Sequence, residues 1–155
     1  MWNIKKEITL VVDISTYCNA KCPQCARTDR NGLGKKQKLP LINWSLEQVK
    51  KFYSKEELHK CNVKSITLCP TWGEPMVNPD IYEIIKYFLK NLKPYSNVYI
   101  YTNGSMRDEE FWWKLGGLSF RYKSNLHVTF DIDGINQEMH EKYRRNTKLI
   151  KILNN

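Results

Sequence analysis

No stretch of this 155-residue chain is apolar for long enough to cross a membrane as a helix. The most apolar early run, residues 8–14, falls far short of the ~20 residues a helical span needs, and Lys5, Lys6 and Glu7 precede it. No secretory leader is visible either, so a cytoplasmic setting is the expectation. Histidine is scarce: His59, His127 and His140 stand at no pairwise metal-binding spacing. A Gly-rich phosphate loop is missing, and no Ser-His-Asp or Cys-His order stands out, which sets aside P-loop nucleotide chemistry and triad hydrolysis. There is no internal repeat and no low-complexity tract. Acidic residues are in deficit, 16 Asp+Glu against 25 Lys+Arg, for a net charge of +9. That excess permits an anionic partner such as nucleic acid, and a solvated basic surface accounts for it equally well. Its densest run, Lys35, Lys36 and Lys38, lies in a Gly-containing loop without the interleaved aromatics of a single-strand groove.

What is present is an ordinary globular composition and a length that suits one domain over residues 1–155. Hydrophobic runs alternate with helical patterns, the signature of strand–helix units around a parallel sheet. The first strand, residues 8–14, is almost wholly apolar or β-branched, as a strand buried on both faces should be. Ser45 and Gln48 have the spacing of a capping box, and Ser54 with Glu57 caps a second short helix. The second strand covers residues 65–68 and ends at Cys69-Pro70. Asn78 is placed to cap a helix whose first residue is Pro79, with Ile81, Ile84, Ile85, Phe88, Leu89 and Leu92 on one buried face. The third strand spans residues 98–101, and the helix after it, residues 108–115, closes on Gly116-Gly117. Residues 126–130 form the fourth strand, and a last helix spans residues 137–145. Trp112 and Trp113 are adjacent in a helix and cannot both face the core.

Five cysteines in a cytosolic setting point to metal binding or catalysis rather than to disulfides. Three of them fall in Cys18-Asn19-Ala20-Lys21-Cys22-Pro23-Gln24-Cys25, directly after the first strand. A loop with this spacing can wrap its thiolates around one inorganic cluster, and three sulfurs suit a four-iron cluster with one iron left open. Cys61 and Cys69 are too few for a second cluster and fit core packing better.

Further segments sit at successive strand ends: Trp72-Gly73-Glu74-Pro75, Thr102-Asn103-Gly104 and Asp131-Ile132-Asp133-Gly134, with Arg144 and Arg145 on the last helix. Taken singly, each reads as a turn or a solvated arginine. In this order they resemble the radical S-adenosylmethionine superfamily, whose signature is Cys-x-x-x-Cys-x-x-Cys after the first strand of a partial barrel. The resemblance implies that Cys18, Cys22 and Cys25 bind a 4Fe–4S cluster whose open iron is chelated by S-adenosylmethionine. It further implies that Gly73, Glu74 and Pro75 receive the methionine amino group. By the same resemblance Thr102 and Asn103 form the common turn after the third strand, Asp131 reaches the ribose with Asp133 in the same cofactor-binding segment, and Arg144 or Arg145 meets the cofactor carboxylate. Reductive cleavage to a 5′-deoxyadenosyl radical is the implied activity, on an unidentified small-molecule or macromolecular substrate, with a flavodoxin or ferredoxin as electron donor. The wording of several segments is similar to short, viral members of the family.

In this sequence Trp72 replaces the first glycine of the family's Gly-Gly-Glu-Pro, Gln24 a customary aromatic residue, and Asp131 a common serine. The implied fold is α/β, a partial TIM-like barrel. A closed barrel uses about 31 residues per strand–helix unit, so 155 residues hold at most five, and four can be placed. The family's usual fifth and sixth units are therefore expected to be missing. Two rival expectations are a truncated member that holds a cluster without catalysis, and a zinc-knuckle nucleic-acid module that adds Cys69 as a fourth ligand.

Overall fold

Four parallel strands pair in strict sequence order in the computed structural model, which describes residues 6–28, 39–69, 71–123 and 125–155. They are β1 (Ile8–Val12), β2 (Val63–Leu68), β3 (Asn97–Thr102) and β4 (Leu126–Phe130). The helices are α1 (Leu46–Phe52), α2 (Lys55–Lys60), α3 (Ile81–Asn91), α4 (Glu109–Arg121), α5 (Gln137–Tyr143) and α6 (Leu149–Asn154). A sheet laid down in the order β1-β2-β3-β4 is the wall of a barrel, since a doubly wound sheet would reverse direction part-way.

The strand register sorts side chains into two faces. Leu10, Ile66, Val98 and Leu126 form one row, and Val12, Leu68, Ile100 and Val128 the next. These rows meet Ile81, Ile84, Ile85 and Phe88 of α3, all fully buried, in the core. Each such side chain contributes about 1.5–3 kcal/mol on burial. The opposite face carries Val11, Thr67, Tyr99 and His127 in one row and Tyr101 with Thr129 in another. Here the expectation for β1 fails: Val11 is 63% exposed, so the strand is buried on one face only. Its apolar sequence suits a barrel interior, but no described element covers that side.

Local signals fared unevenly. The Ser45–Gln48 capping box forms in both directions, and Ser54 accepts from the Glu57 N–H at the start of α2. The helix expected from Asn78 begins later, at Ile81, after a 3₁₀ turn over Pro75–Val77. Asn78 is fully buried and its amide donates to the carbonyls of Ile14 (2.8 Å) and Trp44 (2.9 Å), while its Oδ1 accepts from the Asp80 N–H. It serves as a bolt between chain segments, which outweighs capping. Gly116 and Gly117 do not stop α4, because Leu115 and Leu118 on either side continue its buried face to Arg121. Trp112 packs on Phe130 (4.8 Å between ring centroids), and Trp113 is 81% exposed. The helix expected over residues 137–145 is α5, which ends at Tyr143, and a further helix that was not expected, α6, follows it. The lysine-bearing run at Lys35, Lys36 and Lys38 lies outside the described residues.

Candidate functional site

The C-terminal ends of all four strands feed one cleft of about 320 Å³. Its lining includes the thiols of Cys18, Cys22 and Cys25 together with Gly73, Glu74, Asn103, Asp133 and Arg144. The cysteine loop is tied down on every side. Tyr17 caps back on Ser15, its N–H donating to Ser15 Oγ (3.0 Å), and the Tyr17 carbonyl accepts from the Glu74 N–H (2.6 Å). Thr16 pairs with the segment before α1, donating its N–H to the Ile42 carbonyl. Across the cleft the Lys21 N–H donates to the Arg145 carbonyl (2.9 Å), and the Asn146 amide donates to the Asn19 carbonyl (2.6 Å).

After β2 the chain passes so close to the cysteine loop that a Cβ at Gly73 would lie 2.1 Å from the Ser15 carbonyl oxygen. Glycine is therefore required at 73. Trp72 is 42% exposed and its ring does not line the cleft, so the replacement of the preceding glycine leaves the cleft open. Glu74 is 1% exposed. Its Oε1 accepts from the Thr102 hydroxyl (2.6 Å) and the Met76 N–H (3.1 Å), and its Oε2 from the Asn103 N–H (2.8 Å). Burial raises its pKa against the pull of those three donors. A carboxylate with two oxygens and three donors keeps acceptor capacity for one more hydrogen bond. Pro75 starts the 3₁₀ turn and Thr102 faces Glu74, so both support the carboxylate without lining the cleft.

Beyond β4 the Asp131 N–H continues the ladder to the Thr102 carbonyl (2.8 Å). Arg144 draws the two acids together: its Nε donates to Asp133, and its Nη2 lies 3.5 Å from Asp131 Oδ2. Asp133 and Arg144 line the cleft, whereas Asp131 stands behind them. Burial raises the pKa of Cys18 and Cys22, and for Cys22 the neighbouring Arg144 works in the opposite direction. Burial likewise raises Asp131, again opposed by Arg144.

Sequence reasoning missed Arg27, Lys142 and Tyr143, all of which line the cleft. Lys142 and Tyr143 had only their position before Arg144 to betray them. Arg27 is 7% exposed and closes the cysteine loop, donating to the carbonyls of Thr16 (2.8 Å) and Cys18 (3.4 Å). Its Nε is buried without a partner. A buried guanidinium N–H facing no acceptor, in a cleft lined by three thiols, fits an anionic sulfur-rich group. Among the described residues no three Cys, His, Asp or Glu side chains converge tightly enough for a single metal ion. Cys18, Cys22 and Cys25 all line the same cleft. Cys61 is exposed, Cys69 half-buried, and neither lines the cleft.

An α/β half-barrel that gathers three thiols and a buried glutamate at its carboxyl edge is the framework of a cofactor-binding barrel protein. The Radical SAM superfamily model matches residues 12–155, and the chain belongs to that superfamily. It is 30% identical over 134 residues to the antilisterial bacteriocin subtilosin biosynthesis protein AlbA of Bacillus subtilis (strain 168), covering 85% of this chain and 25% of AlbA. Among solved structures, anSMEcpe with bound AdoMet shares the fold at a TM-score of 0.61 and 22% identity, over 94% of this chain and 37% of that one. SuiB of Streptococcus suis bound to S-adenosylmethionine aligns at a TM-score of 0.59 and 19% identity, over 96% and 31%. BtrN in complex with AdoMet and 2-DOIA aligns at 0.57 and 18%, over 80% and 56%. The chain thus spans about a quarter of AlbA and between about a third and just over half of these structures. AlbA and SuiB are bacterial proteins, and the expected viral kinship finds no support in them.

Proposed function

We propose that this chain is a radical S-adenosylmethionine enzyme, with Cys18, Cys22 and Cys25 holding a 4Fe–4S cluster and the adjoining cleft holding S-adenosylmethionine. When bound, this pair supplies reductive cleavage of the sulfonium bond and a 5′-deoxyadenosyl radical able to take a hydrogen atom from a substrate. The observation that carries the reading is that Cys18, Cys22, Cys25, Glu74 and Arg144 line one cleft at the carboxyl ends of successive parallel strands.

The chain's own residues divide the remaining work. Glu74, pinned by Thr102, Met76 and Asn103, keeps one acceptor position for an ammonium group. Gly73 lets the backbone run against the cysteine loop, where the Glu74 N–H bonds the Tyr17 carbonyl. Arg144 carries five N–H donors, and its bond to Asp133 can persist while the opposite edge meets a carboxylate. Asp133, which lines the cleft, keeps acceptor positions for sugar hydroxyls beside its bond to Arg144. Arg27 adds a positive charge behind the Cys18 carbonyl, which favours a negatively charged cluster. A one-electron protein such as a flavodoxin or ferredoxin would supply the reductant.

Anaerobic reconstitution tests the proposal. Iron and acid-labile sulfide should load together with a broad absorbance near ~400 nm. Replacing Cys18, Cys22 or Cys25 by alanine should abolish that loading. With dithionite and S-adenosylmethionine, 5′-deoxyadenosine should accumulate; an intact cluster that yields none rejects the enzyme reading. That outcome would favour a cluster-holding member without catalysis. One zinc per chain with no sulfide would return the zinc-knuckle alternative.

A further inference from the structure

The turn after β3 does more than connect strand to helix. Asn103 is 3% exposed and Ser105 5%, and with Asn19 of the cysteine loop they close a ring of side-chain hydrogen bonds. Asn103 Nδ2 donates to Asn19 Oδ1 (3.0 Å), Asn19 Nδ2 donates to Ser105 Oγ (2.7 Å), and the Ser105 hydroxyl donates to Asn103 Oδ1 (2.6 Å). The Ser105 backbone N–H also donates to Asn103 Oδ1 (3.0 Å).

This ring decides which way the Asn103 amide points. Two donors from Ser105 occupy Oδ1, so the flipped orientation would set an NH₂ group against a backbone N–H. Nδ2 must therefore face the cysteine loop. One of its two hydrogens satisfies Asn19, and the other is directed at Cys18 Sγ, 3.9 Å away. In a ring each bond polarises the next, so the amide that meets the sulfur is a stronger donor than a free asparagine. The same residue's backbone N–H holds Glu74 Oε2.

We infer that Asn103 is a positioning and tuning residue for the cluster, its side-chain N–H donated to the Cys18 sulfur so as to raise the cluster's reduction potential. The inference rests on the cluster reading above. Reduction adds negative charge that spreads onto the sulfurs, and an N–H donor at a sulfur stabilises the reduced form more than the oxidised one. Ser105 and Asn19 act through Asn103: their hydrogen bonds hold the amide in its donating orientation.

The test is a midpoint-potential titration of the reconstituted protein, alongside iron and sulfide content. Asn103→Ala should keep its cluster and shift the potential in the negative direction. Ser105→Ala removes the hydroxyl and opens the ring while its backbone N–H still orients the amide, so it should shift the potential the same way by less; it also serves if the first variant folds poorly. Asn146→Gly is the control: it removes another tether of the loop, at a backbone position already at φ +64, without touching a sulfur, and should leave the potential unchanged. Equal potentials in wild type and Asn103→Ala, or an equal shift in Asn146→Gly, would overturn the inference while the cluster reading stands. A wild-type chain that takes up no iron and sulfide overturns both.

Discussion

Histidine 140 shows how one buried side chain carries a pH dependence that the sequence does not announce. It is fully buried in α5, and its Nε2 meets Thr147 Oγ1 (2.8 Å). That hydroxyl donates to the Arg144 carbonyl (2.7 Å), so its lone pair accepts from His140 Nε2–H. Nδ1 is then left as the buried atom without a partner, and a second proton placed there would have nothing to bond. Burial accordingly lowers the pKa below its usual 6.5. The unfolded chain takes up a proton here before the folded one does, so the contribution is complete above pH 6.5 and lost as pH falls toward the depressed folded value. Chemical denaturation between pH 7 and 5 should show stability dropping by up to about 1.4 kcal/mol per pH unit on this account. His140→Gln should remove that part of the slope. An unchanged slope in the variant would assign the acid sensitivity elsewhere. At this same scale Gly73 was legible as part of a motif, but the Ser15 carbonyl that dictates it lies 58 residues earlier in the chain and only the fold brings it near.

Among elements, the helices with local signals were the ones read correctly. α1 and α2 carry their caps within three residues, so spacing sufficed. α6 has no such signal: Lys148 gives it no side-chain cap, and its first N–H, that of Leu149, is taken by Gln137 Oε1 (2.7 Å), twelve residues earlier. α4 misled in the other direction. Its Gly116 and Gly117 look like a stop, yet neither has a positive φ, and a Cβ at either would meet nothing within 4 Å. Gly116→Ala and Gly117→Ala should therefore each stabilise the protein by about 0.5–1 kcal/mol, read from urea midpoints, because alanine loses less backbone entropy in a helix. A destabilising result would mean that these positions pack against something in solution.

For the molecule as a whole, the cysteine loop is the hub. It is hydrogen-bonded to the turn after β2, to the turn after β3 and to the segment joining α5 to α6. A cluster seated in that loop binds only the folded arrangement, so loading should raise the unfolding temperature by mass action. Thermal unfolding of the loaded and metal-free chains, performed anaerobically, should separate by several degrees, and Cys22→Ala should erase the gap. Coincident curves would show that the loop is as firmly held without its cluster. The open sheet face, where Val11, Tyr99, Tyr101 and His127 would fill a closed barrel, also belongs to this scale, since no single strand reveals how many neighbours it has.

By itself the sequence determined the parallel α/β architecture, the four strands, the thiol trio and the order of turns that meets it, because periodicity, caps and motif spacing are written within a few residues of one another. The tertiary structure alone decided that β1 is covered on one face, that Asn78 bolts segments instead of capping a helix, and that Thr102 serves Glu74 rather than the cleft. It also supplied Arg27, His140 and the Asn19–Asn103–Ser105 ring, whose roles depend on hydrogen bonds between residues up to 86 positions apart. Burial and bond orientation are properties of the packed chain, and no local pattern encodes them.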